Sequence, residues 1–140
     1  MSLSAIFNIA GSALTAETAR LTNSAENMSN ANVESGNANE VYKAKYPVFK
    51  AVQEHANQWM GEQLSGGVQL QGTYETTSDP IKRYAPDNPL ADKQGFVYTP
   101  NVNYVEEMAN VISASRSYQM DVELLGTTKQ LMQRTLQLGE

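Results

Sequence analysis

The stretch YVEEMANVISASRSYQMDVELLGTTKQLMQRTL, Tyr104 to Leu136, decides how the chain is read. Tyr104, Val111, Tyr118, Leu125 and Met132 recur at seven-residue spacing, and Met108, Ser115, Val122, Lys129 and Leu136 follow them by four. A stripe of this kind is what a long helix needs to lie lengthwise along another helix. Asn101 and Asn103 after Pro100 are candidate caps, Glu106 falls three residues after Asn103 as in a capping box, and Glu107 adds acidic charge to the first turn. Run to about Leu138, such a helix is about 50 Å long. Leu124, Leu131 and Leu138 form a second row beside the first, and Gly139 ends the helix. One two-helix hairpin covers only one of those sides.

The same spacing returns near the other end, at Phe7, Leu14, Leu21 and Met28, within a predicted helix over residues 4–30. It stops at SNANVESGNAN (Ser29 to Asn39), whose Asn, Ser and Gly are turn residues. Asn27, Asn30 and Asn32 are placed to bond backbone groups as that helix ends.

The middle reads differently. VYKAKYPVFKAV (Val41 to Val52), VQLQGTYETT (Val68 to Thr77) and Gly95 to Val102 carry the β-branched and aromatic content of short strands, with Pro47 suited to an edge. Ser65-Gly66-Gly67 is a hairpin-turn candidate, and the Pro-rich span from Asp79-Pro80 to Asn88-Pro89 reads as extended linker. The expected fold is mainly α with a small β insert. Residues 1–40 and 103–140 supply long helices of a coiled-coil-like α domain, and residues 41–102 supply a short β-hairpin element and linker.

Composition narrows the function. Fifteen acidic against 10 basic residues leave a net charge of −5 with no Lys/Arg cluster, so nucleic acid is not an expected partner. The absence of cysteine removes disulfides, thiolate metal sites and cysteine nucleophiles. His55 stands alone, no HExxH or G-x-S-x-G occurs, and Glu106-Glu107 is explained by the helix start, so no catalytic, metal or cofactor site is expected. Trp59 beside Met60 in a polar stretch either tucks into the β element or anchors a partner. No basic, apolar leader opens the chain and no apolar run reaches membrane-spanning length, so no cleaved signal and no membrane span are expected.

Two stretches go beyond generic pattern. SAENMSNANVES (Ser24 to Ser35), followed by Tyr42-Lys43, resembles the Asn-rich motif of bacterial flagellar rod and hook proteins, with Asn27, Met28, Asn30 and Ala31 in place. From Asn88 to Gly139 the chain is similar to the C-terminal half of proximal rod members of that family. There Asn88, Pro89, Ala91, Asp92, Gly95, Pro100, Asn101 and Val102 precede Glu107, Met108, Ala114, Arg116, Tyr118, Leu136, Leu138 and Gly139. The short insert between Val41 and Val102 favours the proximal rod over distal rod and hook relatives, which carry larger middle domains.

The resemblance implies a non-enzymatic subunit of the axial drive shaft. Its partners would be itself, other rod subunits and the flagellar type III export apparatus, with a periplasmic location and no small-molecule substrate. The assembly residues would be Phe7, Leu14, Leu21, Met28, Tyr104, Met108, Val111, Tyr118, Val122, Leu125, Met132 and Leu136. The rival is a soluble coiled-coil adaptor or type III secreted effector that binds one partner helix.

Overall fold

The computed structural model describes residues 3–53 and 66–138. In chain order these form helix α1 (Leu3–Asn30), a 3-10 turn (Ala38–Glu40), strands β1 (Lys45–Gln53), β2 (Gly66–Glu75), β3 (Ile81–Tyr84) and β4 (Phe96–Thr99), and helix α2 (Tyr104–Leu138). Two terminal helices therefore frame two small sheets, β1 with β2 and β3 with β4. His55, Trp59, Met60, Ser65 and Gly139 lie outside the described residues.

The β insert departs from expectation in two places. Gly66 and Gly67 open strand β2 and are not a turn. The expected linker contains β3, which pairs antiparallel with β4 in the register Ile81↔Thr99, Lys82↔Tyr98, Arg83↔Val97 and Tyr84↔Phe96. Only four residues long, β3 is too short to announce itself by alternation, and the prolines on either side mask it. Pro47 sits in β1, whose two-stranded sheet leaves one edge free, as proline requires.

Each helix boundary has a local cause. Asn103 Oδ1 accepts from Val105 N at 3.1 Å and Glu106 N at 3.3 Å, starting α2 by an N-cap. At the end of α1, Asn30 Nδ2 donates to Glu26 O at 2.8 Å and Val33 N bonds Asn30 O at 3.1 Å. Inside the helices, the hydroxyls of Thr15, Thr18, Thr128 and Thr135 each donate to the carbonyl four residues earlier.

The chain falls into two compact units. One comprises Met1–Ala19, Val48–Gly72 and Ser113–Glu140, the other Arg20–Pro47 and Thr73–Ile112. In the first, Ser12 Oγ donates to Ile9 O at 2.7 Å and accepts from Val68 N at 3.0 Å, tying β2 to α1. In the second, the bridge Ser35↔Tyr98 joins the segment after α1 to β4.

The interior is built from small side chains. Among the described residues the buried apolar ones are Ala5, Ala10, Ala31, Val41, Ala44, Val97 and Ala114, while Glu107, Val97 and Asn27 are the largest that are fully enclosed. The large apolar residues of α2 face outward instead: Tyr104, Val105, Met108, Ile112, Tyr118, Met120, Val122, Leu124, Leu131, Met132 and Leu136 are all exposed. Globular chains put such residues inside.

Candidate functional site

Within the unit formed by Arg20–Pro47 and Thr73–Ile112, the end of α1, the start of β1 and the first turns of α2 meet at one buried amide. Asn27 is 0 % exposed. Its Oδ1 accepts from the Tyr42 hydroxyl at 2.8 Å and from Lys45 N at 2.8 Å. Its Nδ2 donates to Lys45 O at 3.0 Å and to Glu107 Oε1 at 3.2 Å. Two acceptances and two donations use the whole capacity of an amide. Lys45 Nζ also reaches Glu26 Oε2 at 3.4 Å on the outer side.

Glu107 corrects the sequence reading. It lies in the first turn as expected, but it is 1 % exposed, and its Oε2 has no hydrogen-bond partner. Neighbouring phenols register its presence. Burial, and then the nearby charge of Glu107, push Tyr46 up to about 12, while burial followed by the charges of Glu26 and Glu107 raises Tyr42. Glu106, by contrast, is exposed. Sequence reasoning missed Tyr42 and Lys45 as partners of Asn27. The signal was the aromatic-basic alternation of Tyr42 to Tyr46, which periodicity reads only as strand.

A second polar cluster organises the loops of the same unit. The Glu34 carboxylate pairs with Arg83 and accepts from Asn88 Nδ2 at 2.6 Å, which holds its carboxyl below the usual range. Asn88 Oδ1 accepts from Leu90 N at 2.9 Å. Asp92 gathers the amides of Phe96 and Gln94 at 2.9 and 2.8 Å, then the Tyr98 hydroxyl at 3.1 Å, and is likewise lowered. Gly95 turns the chain at φ 81°, where an added Cβ would lie 2.9 Å from the Tyr84 ring. At Gly36 a Cβ would stand 2.4 Å from the Leu90 carbonyl oxygen, so the close approach of these two loops requires glycine.

Of the other singled-out residues, Pro100 is buried and Pro89, Asn101 and Arg116 are exposed. Phe7, Leu14, Leu21, Met28, Val111 and Leu125 are half-buried. A cleft beside Tyr42, Lys43, Thr76 and Asn101 encloses about 20 Å³, room for one water molecule. No group of three His, Cys, Asp or Glu able to hold a metal occurs among the described residues, nor is any described helix long and apolar enough to cross a membrane.

Asn27, Asn88, Asp92, Gly95 and Glu107 thus tie together the loops and helix ends of this unit. The chain is 46% identical to the flagellar basal-body rod protein FlgC of Yersinia enterocolitica over 140 residues, covering 100% of both chains. The chain belongs to the FlgC family. FlgC of Escherichia coli O6:H1 is 45% identical and that of Salmonella typhimurium 43%, again over 100% of each chain. Residues 93–138 match the family described as flagellar basal body rod FlgEFG protein C-terminal. FlgC proteins are structural components of the basal-body rod, and this member is a structural rod protein and not an enzyme.

Proposed function

We propose that this rod subunit assembles through the outward rows of its terminal helices, with itself and with other rod subunits, in a coiled-coil-like manner. The observation that carries the reading is the inversion of packing: small residues fill the inside of the chain while Val122, Leu124, Leu131 and Leu136 line the outside of α2. Large exposed apolar rows mark interaction surfaces. Rows on two sides of one helix suit a subunit with neighbours on both, and a heterologous contact that does not close produces a helical shaft. Lengthwise interlocking of this kind resists shear through many small contacts. The stripe Phe7, Leu14, Leu21 and Met28 belongs to the same surface in this reading, as do Val111, Tyr118, Leu125 and Met132. Export through the flagellar type III apparatus and a periplasmic position follow from rod membership in the same proposal.

The test is photo-crosslinking in assembled basal bodies. A photoreactive residue at Leu131 or Val122 is expected to capture a rod subunit, and one at Asp87 in the loop is not. Capture from Asp87 with none from either helix position would overturn the reading.

A further inference from the structure

The heptad visible in the sequence and the seam buried in the structure are not the same line. By apolar content, α2 should turn Tyr104 and Met108 inward beside Val111, which is half-buried. The buried positions instead are Glu107, Ala114 and Thr128, with the second row set one residue earlier than the apolar pattern places it. Met108 and Tyr104 each remain 44% exposed while a carboxylate is enclosed. Burial of apolar area alone favours the other rotation, so something must select against it.

We infer that Asn27 and Glu107 form the specificity-determining pair that sets the rotation of the first turns of α2, and with it which apolar row this unit offers to a neighbouring subunit. The second half of this statement rests on the assembly reading above, and the first half does not. An apolar seam tolerates rotation because one aliphatic contact substitutes for another. A saturated amide does not. Every hydrogen-bonding capacity of Asn27 is committed, and the bond to Glu107 Oε1 is the one that reaches α2. Turned by one residue, about 100° of helix, the helix would bring Met108 to that place, whose sulfur is only a weak acceptor, and would strand the amide hydrogen.

The unpartnered Oε2 argues in the same direction. A half-satisfied buried carboxylate costs stability, so a pair kept for stability alone would be poorly chosen. Single buried polar residues are known to fix helix register at such a cost. In the observed rotation Val105, Met108 and Ile112 are exposed together on a side of the first turns that Glu107 does not occupy.

The chain has no cysteine, so Met108→Cys gives a clean thiol reporter on the full-length protein. Adding Glu107→Ser to this reporter removes the acceptor without placing a large apolar side chain at that position, and should leave the helical circular dichroism intact and slow thiol labelling about tenfold, equivalent to roughly 1.4 kcal/mol. Glu107→Gln retains the acceptor for Asn27 and should label at the parental rate. Unchanged labelling in Glu107→Ser would overturn the inference, as would loss of its helical signal, because the pair would then hold the fold and not choose its rotation. Slowed labelling with normal rod incorporation upholds the rotation role and counts against the assembly reading.

Discussion

The loops around Glu34 and Asp92 and the half of α2 after Ser113 are held by opposite means. In the loops every described carboxylate at the centre of the cluster is met by a named donor: Arg83 and Asn88 for Glu34, two amides and a phenol for Asp92. In the C-terminal half of α2 the side-chain bonds of Thr128 and Thr135 return to the helix's own backbone. Its large apolar residues face out. The loops carry their partners within the chain, whereas the helix leaves its apolar rows uncovered by its own chain. Stability and assembly should therefore respond to different residues, and substitutions can separate them.

The largest effect should come from the helix. Leu131 is 50% exposed, so Leu131→Asp should change the stability of the isolated chain by only about 0.5 kcal/mol. Placed in an assembled contact, the same charge costs several kcal/mol and recurs in each subunit, so rod incorporation and motility should be lost. Normal swimming would erase the contrast between the two regions. Asn27→Ala should do the reverse of a purely surface change. It leaves Lys45 N, Lys45 O and the Tyr42 hydroxyl unmet, at about 1 to 3 kcal/mol for a buried group, and urea unfolding of the purified chain would read the loss.

A sharper probe of the loops is Gly36→Ala. The Leu90 carbonyl cannot yield to a Cβ at 2.4 Å without moving backbone, and overpacking of this kind costs about 1 to 3 kcal/mol. Melting temperature should fall while crosslinks from Leu131 persist. Asn30→Ala removes one bond to Glu26 O and should cost about 1 kcal/mol.

The smallest effects are in pH. Tyr46 is raised to about 12, so protonated phenol is favoured by the fold, and the stability it contributes is present below its ordinary value near 10 and lost as pH climbs towards 12. Glu34 and Asp92 are lowered, so their contribution is present above the ordinary carboxylate range and disappears as pH falls through their folded values. Tyr46→Phe should flatten the alkaline limb and Asp92→Asn the acid one, both followed by thermal melts across pH.

The helices were legible because length and repetition overcome noise: Asn103 as a cap and the seven-residue rows needed nothing beyond the chain itself. Strand β3 was not legible, since four residues between prolines carry too little pattern. Glu107 was misread for a more general reason. Local rules explain an acidic residue in a first turn so well that nothing local signals its partner 80 residues away. Which side of an amphipathic helix meets its own chain and which meets another is likewise invisible to periodicity, because both sides carry the same apolar spacing.

The threonine hydroxyls that bond back to helix carbonyls have a consequence for wetting. Thr15 and Thr18 lie on exposed ground of α1, where a sequence reader counts two polar groups that any dry contact must strip of water. With each proton already directed to a carbonyl one turn back, the hydroxyl has no donor left to give to water. That surface is drier than its letters suggest, and a neighbouring helix can settle on it with less dehydration to overcome.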